Sequence, residues 1–354
     1  MDTRMKFIAI GLGHQTLDDH LPAMMESDRF KLVGVHDKNK ETCHQVAIKY
    51  DCEAIVDLPK FLAGVPELRV DGAIVALPHD QYLPVLQMLA EKGIHIIKEK
   101  PFATSVDEAL KISSLIKKNK VSFSLTLQRR FNPVFNSFAQ LVRRIGRLHA
   151  IEAKYVLNIK RLDEGWRASQ LHAGGGALID LGYHYVDLLV WYFGLPDEVT
   201  CNTSSGNREG QTYDVEDTAF VQMRYFNENS SHELLGSLIV SRVFPEKDEG
   251  MTAYGTRGHV NVQRGSVTRT NAEGTIEEKL VREHAWPSAL VDQLEASAEA
   301  ITNPSRCGFV DPDYLMHVAF VEACYLAAKT HKPQNPKEIF LKLIEDVEGL
   351  EDEA

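Results

Sequence analysis

The sequence predicts an α/β protein in two parts: an N-terminal doubly wound parallel sheet, then an α+β domain built on a large, mostly antiparallel open sheet. Three observations predict it. Strand and helix signals alternate through the first 127 residues. From residue 128 the strand signals lengthen and are separated by turn residues. A chain of 354 residues also exceeds what one core usually holds, which calls for two.

In order, the first part reads as strands at 6–10, 30–36, 54–56, 72–77, 94–97 and 121–127, interleaved with helices at 21–27, 40–50, 82–92 and 106–118. The run at 72–77 is apolar throughout, as a parallel strand covered on both faces should be. Pro78 ends that strand, and Gly93 caps the helix before the next. The second part reads as a helix at 133–145, strands at 148–158, 199–203, 218–225, 237–243, 251–255 and 259–263, and one interrupting helix at 176–193. The implied domains are 1–127, 128–345 and an acidic tail, 346–354.

Composition narrows the class. With 44% hydrophobic and 25% charged residues the chain is an ordinary folded one. Its net charge of −11 and the absence of a basic, aromatic-studded stripe argue against nucleic acid as a partner. The five cysteines are widely spaced with no C-x-x-C pair, which suits reduced structural thiols. No apolar run is long enough to span a membrane and no signal peptide is evident, so the expectation is a cytoplasmic protein with no membrane partner. No histidine or cysteine pair has companion ligands at metal spacing, and no metal is expected.

The first strand runs into Gly11-Leu12-Gly13-His14-Gln15-Thr16, the first two glycines of a dinucleotide fingerprint. One glycine permits the tight turn; the other lets backbone approach a pyrophosphate at a helix N-terminus. Asp37 closes the second strand, where this fold sets a carboxylate against the adenosine ribose, favouring NAD. Lys38 beside it leaves NADP possible, and Asp37 is also placed to cap the following helix.

Two further motifs carry chemistry: Lys98-Glu99-Lys100-Pro101 after the fifth strand, and Gly174-Gly-Gly-Ala-Leu-Ile-Asp180-Leu-Gly-Tyr-His184-Tyr-Val-Asp187 in the second part. Oxidising a secondary alcohol by hydride transfer needs a base for the hydroxyl proton and a cation for the developing alkoxide. Lys100, His184 and Asp180 supply those parts. Asp180 and His184 are four residues apart on a helix and so share a face. Lys100 lies at the carboxyl end of a parallel strand, where open α/β sheets bind ligands.

With these motifs, and with Gln128-Arg-Arg-Phe-Asn-Pro133, Glu216-Asp217 and Tyr254-Gly-Thr-Arg-Gly258, the chain resembles the Gfo/Idh/MocA oxidoreductases over nearly its whole length. The resemblance implies a Rossmann domain holding NAD(P), with Gly11, Gly13, His14, Gln15, Thr16, Asp37, Lys38, Leu77, Pro78, His79, Glu99 and Lys100 around the cofactor. It implies His184 as general acid or base, Lys100 on the substrate hydroxyl and Asp180 orienting the pair, with the proton's carrier left open between Lys100 and His184. Asp187 is expected to support the imidazole. Arg130, Asn158, Trp166 and Arg167 are candidate substrate contacts, with Lys160, Arg161 and His172 near them; Arg130 and Arg167 read equally as ion-pair residues.

Two features depart from the family pattern. The third glycine is missing and the phosphate loop is one residue longer, so side chains of His14, Gln15 or Thr16 are expected to replace backbone contacts. Leu77-Pro78-His79, with Tyr82 further on, replaces the usual Thr-Pro-Asn and histidine. The activity implied is hydride transfer between nicotinamide and a secondary alcohol or ketone of a sugar, cyclic polyol or nucleotide-sugar. A redox-assisted glycosidase and a non-catalytic dinucleotide-binding regulator are the alternatives. The substrate partner is a small sugar or polyol, and a homodimer or homotetramer built through the second sheet is expected.

Overall fold

The computed structural model describes residues 3–64, 69–226, 232–283 and 285–349. The first sheet has six strands in the order β3-β2-β1-β4-β5-β6, all parallel. They are β1 (Met5–Ile10), β2 (Phe30–His36), β3 (Glu53–Ala54), β4 (Gly72–Val75), β5 (His95–Lys98) and β6 (Phe123–Leu125). All four residues of β4 are buried, as its unbroken apolar run requires. The strand order reverses between β1 and β4, and a crevice opens there at the carboxyl ends of the strands. Helices start where the sequence supplies caps: Asn39 accepts from the Glu41 and Thr42 amides ahead of Lys40–Tyr50, and Ser105 caps Val106–Asn119.

Gln15–His20 winds as a π-helix before the α-helix Leu21–Glu26, a wide turn with room for the extra residue expected in the phosphate loop.

The second sheet has eight strands in the order β14-β13-β12-β11-β7-β10-β9-β8. These are β7 (Leu148–Asn158), β8 (Glu198–Ser204), β9 (Thr218–Tyr225), β10 (Leu234–Ser241), β11 (Val243–Gly255), β12 (Gly258–Gln263), β13 (Ser266–Asn271) and β14 (Ile276–Val281). One pair, β7 and β10, runs parallel; the other neighbours are antiparallel. β11 starts eight residues before the expected strand at 251–255, with a register shift between Val243 and Asp248. One face packs on the helices Tyr183–Phe193 and Pro312–Thr330, while Phe220 and Leu235 stand on the other, 48% and 52% exposed.

Past β14 the chain returns to the first domain. Helix Ala285–Thr302 sets Leu290, Leu294, Ala298 and Ile301 against Leu21, Met24 and Phe30. The acidic tail needs correcting in part, because residues 346–349 belong to the helix Pro336–Gly349, with Leu343 and Val347 buried. Amphipathic spacing outweighs charge there. Residues 350–354 lie outside the described ones.

Candidate active site

A cleft of about 460 Å³ lies over the carboxyl ends of β1 and β4. Its floor is the glycine turn. Gly11 has φ +87°, and a Cβ there would sit 2.0 Å from the Ala76 carbonyl oxygen, so β1 and β4 can meet only with glycine at this position. Above Gly13 a Cβ would meet nothing within 4 Å, leaving its backbone open to the cleft. Asp37 lines the cleft with Lys38 and is itself fixed: Oδ2 accepts from the Leu12 amide at 2.8 Å and Oδ1 from the Asn39 amide at 2.8 Å. Open backbone at Gly13 with a fixed carboxylate opposite is the donor and acceptor set that a dinucleotide needs.

The three loop side chains divide. Thr16 is buried and its Oγ1 donates to the Gly11 carbonyl at 2.6 Å, pinning the turn. Gln15 donates to Asp19, and His14 stands exposed beside Asp18. On the far wall the Leu77 amide donates to the Tyr82 hydroxyl at 3.2 Å. His79 is buried against Trp166, with ring centroids 4.5 Å apart, and its Nδ1 donates to the Ala173 carbonyl at 2.7 Å. Burial pulls the His79 pKa down to about 3, so this histidine is a neutral stitch between the domains.

Beside the cleft the two domains bring Lys100, Asp180 and His184 together. Lys100 follows β5, and its peptide to Pro101 is cis. Its Nζ donates to the Asp180 carbonyl at 2.8 Å and to Oδ1 at 3.1 Å. Asp180 Oδ2 faces Arg242 at 2.9 Å and Arg167 at 3.3 Å. Burial alone would raise the Asp180 pKa, but Lys100, Arg167 and Arg242 more than offset it and hold the carboxyl well below its ordinary range.

His184 opens the α-helix Tyr183–Phe193, one turn beyond Asp180, which lies in the π-turn Leu178–Gly182. Its ring is half-buried, with the Tyr155 ring 6.0 Å away. Burial, then the charges of Lys100 and Arg129, push its pKa well below the ordinary histidine value. It is neutral at pH 7 and can accept a proton.

The glycine run ahead of this helix has a steric cause. A Cβ on Gly176 would lie 1.9 Å from the Glu216 carbonyl oxygen. Glu216 also receives the Gly176 and Leu178 amides at 2.7 and 2.9 Å, so it caps the turn that carries Asp180.

Trp166 and Arg167 line the cleft; Arg130 and Asn158 do not. Arg130 is held by Asp187 and Asp313, each at 2.6 Å. Asp187 is engaged by Arg130 and His317, away from the His184 imidazole. Asn158 bonds to Arg208 and the Pro245 carbonyl. Arg161 pairs with Asp163 and Glu164, and His172 reaches Asp80 across the domain boundary at 2.7 Å.

Three residues near the site were not anticipated. Arg242 joins β10 to β11 and is fully buried. His20 is buried with Nε2 2.8 Å from Glu99 Oε1, and Glu99 Oε2 accepts the Lys100 amide at 3.1 Å. Lys98 is buried too, donating to the Glu99 and Pro101 carbonyls with its ammonium 3.5 Å from the Tyr82 ring centre. Charged residues inside apolar runs, such as Lys98 after Ile96-Ile97 and Arg242 after Ile239-Val240, were the available signals.

A nucleotide crevice of this topology, facing a second sheet domain that closes on it, defines an NAD-binding oxidoreductase of the two-domain class. Residues 5–127 match the oxidoreductase family with an NAD-binding Rossmann fold, and residues 138–261 match the GFO/IDH/MocA C-terminal domain. The chain belongs to the Gfo/Idh/MocA family.

Among curated relatives, scyllo-inositol 2-dehydrogenase (NADP(+)) IolU of Bacillus subtilis is 26% identical over 204 residues, covering 56% of this chain and 61% of the relative. The rhizopine catabolism protein MocA of Rhizobium meliloti is 30% identical over 129 residues, 36% of this chain and 39% of that one. The alignments thus span about three fifths or less of those relatives. The aldose-aldose oxidoreductase of Caulobacter crescentus superposes with TM-score 0.80 at 19% identity, covering 94% of this chain and 99% of that one. The WlbA dehydrogenase of Bordetella pertussis superposes with TM-score 0.76 at 21% identity, covering 94% and 98%.

Proposed function

We propose that the protein is an NAD-dependent dehydrogenase or reductase acting on a secondary carbinol or ketone of a sugar, cyclic polyol or nucleotide-linked sugar. The observation that carries this is Lys100 of one domain, on the wall of the dinucleotide cleft, bonded to Asp180 of the other, with His184 one helical turn beyond Asp180. Bound NAD would supply the hydride acceptor. Gly13, Asp37 and the wall Leu77-Pro78 would hold it.

Lys100 would hydrogen-bond the reacting oxygen and stabilise its negative charge, while Asp180 keeps the ammonium aimed. His184, neutral at pH 7, would take the hydroxyl proton in oxidation and return it in reduction. The named activities of IolU on scyllo-inositol and of the Escherichia coli D-glucoside 3-dehydrogenase, 23% identical over 238 residues, support a polyol or sugar. The test is a binding titration with NAD(H) and NADP(H), then a 340 nm screen of inositols, hexoses and sugar acids. Nicotinamide reduction that depends on substrate and on Lys100 supports the reading; dinucleotide binding with no turnover of any secondary alcohol overturns it.

We propose further that the open sheet face joins protomers into a dimer or tetramer. The exposed Phe220 and Leu235, beside a groove of about 510 Å³, support this. A single monomer boundary in sedimentation velocity would overturn it.

A further inference from the structure

We propose that the substrate is anionic: a sugar or polyol carrying a carboxylate or phosphate a few bonds from its reacting carbinol. This rests on the dehydrogenase reading for where the carbinol lies, and its argument is the charge around that place.

The chain as a whole carries −11, yet the substrate side of the site is a cluster of cations. Lys100, Arg167 and Arg242 share the single carboxylate of Asp180. Beyond the Tyr155 ring, Arg129 and Lys247 share the single carboxylate of Glu249, at 2.6 and 3.5 Å. The two groups are continuous, because Tyr155 has the His184 ring 6.0 Å to one side and carries Arg129 and Lys247 over its face at 5.2 and 5.9 Å. Five cations therefore stand against two carboxylates.

Two further carboxylates near the site, Glu99 and Glu216, are occupied. Glu99 is held by His20, and Glu216 by the Gly176 and Leu178 amides and the Tyr325 hydroxyl. His184 stays neutral in this field and leaves the balance of charge unchanged.

Three of the cations, Lys100, Arg129 and Arg242, are buried or nearly so. The other two can reach a ligand: Arg167 and Lys247 are 52% and 47% exposed. Arg167 lines the cleft and lies over the Trp166 ring at 4.3 Å, which sets its planar fork beside the site. Lys247 comes from the stretch where β11 shifts register against β7 between Val243 and Asp248, and its ammonium stands over the Tyr155 ring, the ring next to His184. A neutral sugar would leave this excess positive charge unanswered, and oxidised nicotinamide would add to it. A ligand carboxylate or phosphate paired with Arg167 or Lys247 answers it through charge-assisted hydrogen bonds.

The test is isothermal titration of the NADH-bound protein with glucose, glucuronate and glucose 6-phosphate, and with myo-inositol and inositol monophosphate. At least one anionic member of a set should bind tenfold or more tightly than its neutral parent. That preference should shrink between 20 and 300 mM salt, and shrink again in Arg167→Gln and Lys247→Gln. Carboxylate above phosphate, or the reverse, assigns the anion. Neutral ligands bound as well as anionic ones, a preference indifferent to both substitutions, or no binding of any anion would overturn the proposal. Anion preference without nicotinamide turnover would sink the dehydrogenase reading alone; efficient turnover of neutral sugars would sink this one alone.

Discussion

Arg242→Met isolates the buried charge behind the site. The arginine is 2% exposed, and its Nη2 donates to both Asp180 Oδ2 at 2.9 Å and the Gly176 carbonyl at 3.0 Å. Methionine fills much of the volume but supplies neither bond. Removing one member of a buried ion pair costs about 3–5 kcal/mol. Here Asp180 keeps Lys100 on Oδ1 and Arg167 at 3.3 Å on Oδ2, so the low end, about 3 kcal/mol, applies. For a domain of this size each kcal/mol moves Tm by about 2–4 °C, giving a fall of about 6–12 °C in the second domain's transition. NADH affinity should change less than about twofold, because Arg242 does not line the nucleotide cleft. The acid side is a second readout. Asp180 is held below its ordinary pKa when folded, so its stabilisation is present above about pH 4 and is lost as pH falls through the folded value. With one cation fewer, the variant loses less on acidification. Calorimetry at pH 7 measures the first and a series from about pH 4 down to about pH 2 the second, and a Tm within about 2 °C of wild type at pH 7 would refute the reasoning.

Lys100→Met should lower kcat at least about a thousandfold while NADH binding stays within a few-fold, measured by single-turnover absorbance and fluorescence titration; preserved turnover would remove Lys100 from the proposed mechanism. Asp37→Ser should weaken NADH about tenfold or more and narrow its advantage over NADPH, since it removes the carboxylate and loosens the loop held through the Leu12 amide; an unchanged NADH-to-NADPH affinity ratio would count against it. Glu99→Leu leaves buried His20 Nε2 and the Lys100 amide without their acceptor and should cost about 1–3 kcal/mol at pH 7 by denaturant melt. Burial pushes Glu99 up, but His20 and Lys100 bring it below its ordinary value, so its stabilisation is present above about pH 4.5 and fades below. The variant's stability curve should be flatter in that acid window, and a curve parallel to wild type would contradict the pairing.

Most of the parallel sheet was legible because its strands are covered on both faces. A run such as Gly72-Ala-Ile-Val75 carries its own burial in its composition. The second sheet was legible where one face is wet and residues alternate, as in β9, and less so at the broken start of β11, where Pro245, Glu246 and Lys247 interrupt the alternation. The parallel β7–β10 pair could not be read at all, since strand direction depends on which distant segments meet. In the site, Lys100, Asp180 and His184 were readable because each motif places its residues on one local element. Arg242, His20 and Lys98 were not, because each matters through a partner or carbonyl supplied by the fold: Asp180 lies 62 residues from Arg242, and Glu99 lies 79 from His20.

That division explains how one cluster of charges can hold two groups in opposite states. In the proposed mechanism Lys100 acts as a cation that steadies a developing alkoxide, while His184 acts as a neutral group that takes a proton. A motif alone gives no reason for the difference. Asp180 supplies part of it by position: its Oδ1 touches the Lys100 ammonium, whereas its Oδ2 is taken by Arg242 and Arg167. Asp180 draws the His184 pKa up, but burial, then Lys100 and Arg129, outweigh it and push the imidazole the other way. The same surplus of cations that keeps His184 neutral is what an anionic substrate would meet, so the state of the base and the charge of the ligand follow from one arrangement.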